Sequence, residues 1–190
     1  MNLQQTSRGV ILLDGALYED AFAWLYQEFP GHQPMPLLIG TPYEPIAAAG
    51  PILLDAPEGS PAHAAWRHGS QFEDGLWLES DANTNELWRI LRRRLRVFAP
   101  DHRELWLRLS DARPMRRVWL AGLQWPEGFW HLIRGVWLRH ENRIVRAWDN
   151  AAPQTDMAPH ERGISAQVTL DWPLLAALST EDDTTQDVYR

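Results

Sequence analysis

The stretch ELWLRLSDARPM, residues 104–115, decides how this chain is expected to fold. Its leucines, Leu105, Leu107 and Leu109, alternate with aromatic or polar residues. A period of two is typical of a strand with one buried face, because successive side chains of a strand point to opposite sides. We therefore predict a strand over Glu104–Leu109.

The predicted strand runs directly into a charged turn. Asp111 is suited to cap a following helix, and Pro114 is suited to the first turn of that helix. The charges of Asp111 and Arg113 are costly to bury unless both have partners. Two interpretations remain open, a structural clamp between strand and helix or a functional site.

Outward from this stretch, short apolar runs alternate with amphipathic segments. The patterns predict strands over Gly9–Leu13, Pro36–Ile39, Ile52–Leu54 and Gly75–Glu79, and helices over Tyr18–Phe29, Pro61–His68 and Asn85–Phe98. Because helices and short strands interleave, we predict an α/β or α+β fold, with a short-stranded mixed sheet that is covered by helices.

The pattern changes after residue 122. Strands over Phe129–Arg139 and Arg143–Trp148, joined at residues 140–142, predict a C-terminal β-hairpin. A last strand over Ile164–Leu170 and a short helix through Leu178 follow, and Ser179–Arg190 is predicted to be a frayed tail. We divide the chain into an α/β core, residues 1–122, and a hairpin with a short extension, residues 123–190, packed on the same domain.

Length and charge limit the classes of function. The chain has 190 residues and a net charge of −7, and it contains no apolar run of the roughly 20 residues that a membrane span needs. Its N-terminal residues lack the apolar core of a signal peptide. The acidic balance disfavours nucleic acid and anionic membranes as partners. We expect a cytoplasmic protein.

Signatures of catalysis are missing from the sequence. There is no cysteine, and the 18 Lys or Arg residues are all arginine, which excludes thiolate nucleophiles and Schiff-base lysines. His63 and His68 are five residues apart, so a helix does not place them on one face as a metal pair. Turn and cap roles explain the acidic residues at predicted strand ends, Asp14, Asp55, Asp74 and Asp111. We predict no enzyme activity, no cofactor and no metal, with a small hydrolase as a less favoured alternative.

Tryptophan is unusually common, with 11 residues in the chain. Its large apolar ring and single N–H donor make it a frequent anchor at binding surfaces. Two explanations remain open: several tryptophans lie at a surface that a partner covers, or the core is rich in tryptophan.

The predicted helix over Asn85–Phe98 carries a run of arginines. We expect Arg92, Arg93, Arg94 and Arg96 to form a solvated helix face with acidic neighbours. The same arginines could bind phosphate backbones, which the net charge disfavours. They could also bind acidic residues of a protein partner, because the guanidinium fork pairs bidentately with carboxylates.

Several stretches of the chain, in order, resemble one family of bacterial proteins. They are Leu12–Ala16 (LLDGA), Pro36–Thr41 (PLLIGT), Gly50–Leu54 (GPILL), the helix Glu86–Phe98, and Leu107–Arg113 (LRLSDAR). The last is similar to the family's R-[FY]-[FYW]-D-P-R strand end. These stretches resemble the adaptor or chaperone proteins of bacterial type VI secretion, whose shared domain is catalogued as one of unknown function. We assign a structural motif to Asp14, Arg108, Asp111 and Arg113.

The resemblance implies a non-catalytic protein that binds a toxic effector protein in the cytoplasm and helps to load it onto the spike protein VgrG. Many family members have a longer, helical C-terminal lobe. From the tryptophan density of the hairpin and the arginines of the helix, we predict these partner-binding residues: Trp130, Trp137, Trp148, Arg92, Arg93 and Arg96. A carbohydrate-binding module, with tryptophan platforms for sugar rings, is the alternative.

Overall fold

The fold is taken from a computed structural model, which describes residues 7–179. The part of the predicted frayed tail beyond Ser179 therefore lies outside the described residues. The strands are β1 (Gly9–Asp14), β2 (Pro34–Pro36), β3 (Pro51–Asp55), β4 (Leu76–Glu79), β5 (Arg96–Phe98), β6 (Glu104–Trp106), β7 (Gly135–His140) and β8 (Arg143–Asp149). The helices are α1 (Ala21–Glu28), α2 (Pro61–His68), α3 (Thr84–Arg92), α4 (Ala112–Leu120) and α5 (Trp172–Ser179).

Six of the strands form one sheet in the order β2-β3-β1-β4-β7-β8, and β5 and β6 form a separate two-stranded sheet. Neighbouring strands are antiparallel in every one of these pairings. The fold is therefore of the α+β class, one of the two predicted classes, and its main sheet is antiparallel rather than mixed. The predicted C-terminal hairpin is confirmed as β7 and β8, and β7 joins the main sheet by pairing Trp137 with Trp77.

Helices cover both faces of the main sheet, which explains why its central strand β1 is apolar throughout. Val10 and Leu12 face the larger core cluster, to which α3, α4 and α5 contribute. Ile11 and Leu13 face the smaller cluster, to which α1 and α2 contribute. A strand that is buried on both faces reads as a continuous apolar run, and GVILL is such a run.

Two of the stretches that carry the family resemblance are neighbours in this sheet. Asp14 ends β1 opposite Pro51 of β3. The carboxylate of Asp14 accepts a hydrogen bond from the Ala16 N–H at 3.1 Å and so caps a 3-10 helix over Gly15–Leu17. The Gly15 N–H donates to the Gly50 carbonyl at 2.8 Å, which brings two backbone segments close together.

The predicted helix over Asn85–Phe98 is too long. Helix α3 ends at Arg92, and after a turn the chain continues as β5, in which Val97 pairs with Leu105. Val97 is β-branched and is fully buried in this extended segment, so tertiary packing overrides the helical spacing of the apolar residues.

The predicted strand over Glu104–Leu109 is partly wrong. Strand β6 ends at Trp106 and pairs with β5, away from the main sheet. The alternation nonetheless reports burial correctly, because Leu107 is 6% and Leu109 is 0% exposed, whereas Trp106 is 49% exposed. The Leu107 N–H donates to the Leu95 carbonyl at 2.8 Å, so the chain turns inward after Trp106.

Two other predicted strands have different bounds, and a third does not form. Strand β2 covers Pro34–Pro36 rather than Pro36–Ile39, and the first hairpin strand begins at Gly135 rather than Phe129. No strand forms over Ile164–Leu170 among the described residues. That segment makes an isolated bridge between Thr169 and Phe98 instead. Within residues 7–179 no helix combines the length and apolar character that crossing a bilayer requires.

Candidate functional site

A groove of about 1030 Å³ lies between β6, the beginning of α4 and the length of α5. Its charged and aromatic lining residues are Arg103, Trp106, Arg108, Asp111, Arg113, Arg117 and Trp172. Leucines from the same elements, such as Leu105 and Leu175, form an apolar floor. We call this feature the arginine groove.

A set of ion pairs holds the end of β1 against the beginning of α4 beside this groove. The Arg108 guanidinium lies 3.1 Å from the Asp14 carboxylate and 3.2 Å from the Asp111 carboxylate. Arg113 donates two hydrogen bonds to Asp111, from Nε at 3.0 Å and from Nη2 at 2.9 Å. The structure thus brings the four residues of the predicted motif together in one clamp.

Asp111 is the centre of this clamp and is only 1% exposed. Its carboxylate also accepts the Arg113 backbone N–H at 3.0 Å, so it caps α4, as its position predicts. Burial alone would raise the pKa of Asp111, but hydrogen bonds from Arg113 and the charges of Arg113 and Arg108 hold that pKa below its usual value. Asp111 is therefore ionised at neutral pH and is unsuited to act as a general acid there.

Two tryptophans stand at the surface of the groove. Trp106 and Trp172 are 49% and 48% exposed. Trp106 contacts the edge of the Tyr43 ring at a centroid distance of 4.8 Å, and the Arg103 guanidinium lies 5.9 Å from the Trp172 ring centroid. Exposed indole rings beside guanidinium groups give a surface that can hold apolar and acidic side chains together.

The lining charges of the groove contrast with the charge of the whole chain. Four arginines and one aspartate line it, whereas the net charge of the chain is −7. Arg108 and Arg103 hold their side chains 61% and 68% exposed. The arrangement is therefore suited to bind carboxylate groups. Among residues 7–179, no group of three or more His, Asp or Glu side chains is arranged to hold a metal ion.

A family model described as Domain of unknown function (DUF4123) matches residues 11–126, which is more than half of the chain. The chain belongs to this family. No curated protein sequence and no solved structure matches it. The arginines of the groove lie within the DUF4123 region, whereas the wall formed by α5 lies outside it.

The predicted tryptophan surface on the hairpin is wrong for two of its three residues. Trp130 precedes the hairpin and is 4% exposed, and Trp148 is 5% exposed. Both pack with Trp125 at centroid distances of 5.3 and 6.0 Å, and the Trp148 N–H donates to the Leu123 carbonyl. They belong to the core because this side of the hairpin continues the inner face of the main sheet. Trp137 is half-buried, and its N–H donates to Glu79 at 3.2 Å.

The predicted solvated arginine face is also largely wrong. Arg93 is 5% exposed and forms ion pairs with Asp156 at 3.0 Å and Glu161 at 2.9 Å. Arg92 is half-buried, with its guanidinium 4.1 Å from the Trp88 ring centroid. The predicted acidic neighbours are present, but they come from the loop that precedes α5.

Arg96 alone of the three arginines predicted to bind a partner approaches the arginine groove. Its guanidinium lies 5.6 Å from the ring centroid of Trp106 and forms an ion pair with Glu104. The sequence indicates these contacts only once β5 and β6 are recognised as a hairpin. In that hairpin Arg96 lies opposite Trp106, and Glu104, two residues before Trp106, lies on the same face.

Arg94 is a structurally central residue whose burial the sequence pattern misses. Its side chain is fully buried and donates to the carbonyls of Ile90, Gly128 and Phe129, and it pairs with Asp156 at 2.6 Å. Burial lowers the pKa of Arg94 and the Asp156 carboxylate partly restores it. Arg94 thus connects the DUF4123 region to the chain that follows it.

Asp156 is ionised in this cluster. Burial would raise its pKa, but the Ala158 N–H at 2.9 Å and the Arg94 guanidinium hold the pKa of Asp156 below its usual value. The sequence around residue 156 does not indicate that Asp156 is buried. It is polar and rich in turn-forming residues, which predicts exposure.

Proposed function

We propose that this protein is a non-catalytic adaptor or chaperone of bacterial type VI secretion. It binds a toxic effector protein in the cytoplasm and helps to load that effector onto the spike protein VgrG. The arginine groove is the observation that carries this proposal, since it offers arginines and two exposed tryptophans on a chain that is otherwise acidic. Membership of the DUF4123 family is consistent with it.

The chemistry of the groove favours a protein partner. Arginine and tryptophan are the residue types that contribute most to the binding energy of protein interfaces. A groove lined by leucine side chains and guanidinium groups fits a polypeptide segment that presents acidic and apolar side chains. The clamp at Asp111 keeps Arg108 and Arg113 in place before the partner arrives, which lowers the entropy cost of binding.

The test is affinity purification from the native cell, followed by identification of the proteins that accompany the chain. A double variant, Trp106→Ala with Trp172→Ala, removes both exposed anchors of the groove. We expect it to remain folded and to lose the effector, because each anchor is worth roughly 2 kcal/mol or more at an interface.

The matched control is Tyr26→Ala, which removes a 56% exposed aromatic side chain from α1, on the opposite side of the sheet. The control should recover the effector as well as the wild type does. Equal recovery of a toxin by the double variant would remove the groove from the interface, and recovery of no effector or VgrG by the wild type would remove the adaptor function.

A carbohydrate-binding module remains the second candidate, because Trp106 and Trp172 expose enough ring to stack on sugars. It predicts that a glycan raises the unfolding temperature in the absence of any protein partner. Loss of that stabilisation in the Trp106→Ala and Trp172→Ala double variant would favour it over the adaptor function.

A further inference from the structure

The arginine groove ends where an acidic part of the chain begins. Ser179 at the end of α5 lines the groove. The next residues, 180–190, read TEDDTTQDVYR and include Glu181, Asp182, Asp183 and Asp187. Four carboxylates thus follow directly, in sequence, on the wall of a groove that is lined by four arginines.

The charges of the groove are suited to these carboxylates. Arg103, Arg108 and Arg113 already pair with aspartates at its rim and floor, but a guanidinium has five N–H donors and can serve more than one carboxylate. Arg117 donates to the carbonyls of Ala177 and Leu178, which fixes a cation at the end of α5 where residue 180 follows.

The covalent connection strengthens this electrostatic match. An extended chain spans about 3.3–3.6 Å per residue, so the acidic residues come within on the order of 10–30 Å of Ser179, which itself lines the groove. A segment joined by so short a linker acts at an effective concentration in the millimolar range. Weak individual ion pairs are then sufficient for occupancy.

We propose that the acidic segment 180–190 binds in the arginine groove of its own chain and acts as a tethered competitor of the partner. Binding of the segment does not depend on the proposed function; only its regulatory consequence does. A partner must displace the segment before it can bind in the groove. Partners with more acidic or more apolar side chains are therefore favoured over partners that bind the groove more weakly.

The absence of cysteine makes a direct test possible. Thr185→Cys adds one labelling site without changing the charge of the segment, and a nitroxide there broadens the NMR signals of nearby protons. We expect the indole N–H signals of Trp106 and Trp172, assigned with Trp106→Phe and Trp172→Phe, to lose intensity, and to lose more of it than when the carboxylates of the segment are neutralised. A nitroxide at Gln27→Cys, an exposed position of α1, should leave both signals unchanged.

Charge is tested in the full chain. Glu181→Gln, Asp182→Asn, Asp183→Asn and Asp187→Asn together should restore part of the intensity of the two indole signals, as should about 1 M salt, which shortens the Debye length to about 3 Å. The matched control neutralises four exposed acids elsewhere, with Glu19→Gln, Glu28→Gln, Glu73→Gln and Glu127→Gln, and should retain the broadening.

Each other outcome overturns the proposal. Unbroadened indoles with the label at residue 185 mean that the segment does not bind. Broadening that is equally strong after neutralisation means that charge does not hold the segment in the groove. A mixture of labelled chain with unlabelled, nitrogen-15-enriched chain should show no broadening, and broadening there would assign the groove to a second copy.

The regulatory consequence is measured with the effector. A segment that occupies the groove nine-tenths of the time weakens a competing partner about tenfold, so the neutralised chain should bind the effector about tenfold more tightly. Unchanged effector affinity in that variant would overturn the competition. Failure to find any effector would overturn the proposed function and leave the result with the isolated chain standing, so the two failures are distinguishable.

Discussion

At the scale of single residues, Arg94 and Asp156 show why removing one member of a buried ion pair costs more stability than replacing both members. Each charge satisfies the other, and the remaining donors of Arg94 are used by backbone carbonyls. Removing one partner leaves an uncompensated charge in a place that water does not reach.

We expect Asp156→Ala to lower the free energy of unfolding by about 3–5 kcal/mol, because the fully buried Arg94 loses its carboxylate and Arg93 keeps only the exposed Glu161. Urea unfolding followed by circular dichroism measures it. The control is Glu161→Gln, which removes a carboxylate whose side chain is 71% exposed and should cost no more than about 1 kcal/mol. Equal effects of the two variants would contradict the central place of the buried pair.

The two buried aspartates also predict how stability depends on pH. The pKa values of Asp111 and Asp156 are lowered in the folded protein, relative to about 3.9 in an unfolded chain. Their contribution is present above the unfolded pKa and is lost as the pH falls through the folded pKa. The unfolding temperature should therefore drop below about pH 4. The drop should be shallower in Asp156→Asn, and identical pH profiles of the two proteins would exclude Asp156 as a cause.

At the scale of elements, a few contacts decide where helices and strands begin and end. The alternation in residues 104–109 predicts which leucines are buried, but it cannot say that β6 pairs with β5 outside the main sheet. The helical spacing after Asn85 does not hold beyond Arg92. Arg94 is buried in the turn that follows the helix, and the β-branched Val97 is buried in a strand. The periodicity of apolar residues indicates neither. The pattern thus reports which side chains are buried, whereas the end of a helix and the pairing of strands depend on distant residues.

The clamp at the beginning of α4 can be separated into a cap and a charge. Asp111→Ala removes both and should lower the free energy of unfolding by about 1–3 kcal/mol, because the two arginines that lose its carboxylate are partly exposed to water. Asp111→Asn keeps a capping oxygen for the Arg113 N–H, so its free energy of unfolding should fall by about 1 kcal/mol less than that of Asp111→Ala. Chemical denaturation of both variants measures the difference, and equal losses would mean that the cap contributes nothing.

The close approach at the end of β1 requires a glycine. A Cβ on Gly15 would lie 2.0 Å from the Ala48 carbonyl oxygen, so backbone must move to make room. We expect Gly15→Ala to lower the free energy of unfolding by about 2 kcal/mol or more. Gly31→Ala is the control, because nothing lies within 4 Å of its added Cβ, and it should be neutral or slightly stabilising.

At the scale of the whole molecule, the sequence after residue 122 completes the sheet rather than standing apart from it. Strand β7 pairs with β4, and Arg94 donates to carbonyls of Gly128 and Phe129. The class of fold and the hairpin could be predicted from pattern. The groove could not, because its walls, Arg103–Arg117 and α5, meet only after the chain has folded.

Such a shared core predicts cooperative unfolding of the full chain. Tryptophan fluorescence, which reports residues of both sequence regions, and far-ultraviolet circular dichroism should give coincident urea transitions. Two separated transitions would mean that the hairpin region melts independently of the rest.

The two edges of the main sheet differ in what they offer to a foreign strand. Strand β2 has proline at residues 34 and 36, so Met35 supplies its one backbone donor. Strand β8, at the opposite edge, contains no proline and keeps an amide at every position. Within residues 7–179, the missing N–H groups of the two prolines therefore block the addition of a foreign strand at β2. At β8, the charges of Arg143, Arg146 and Asp149 discourage such addition.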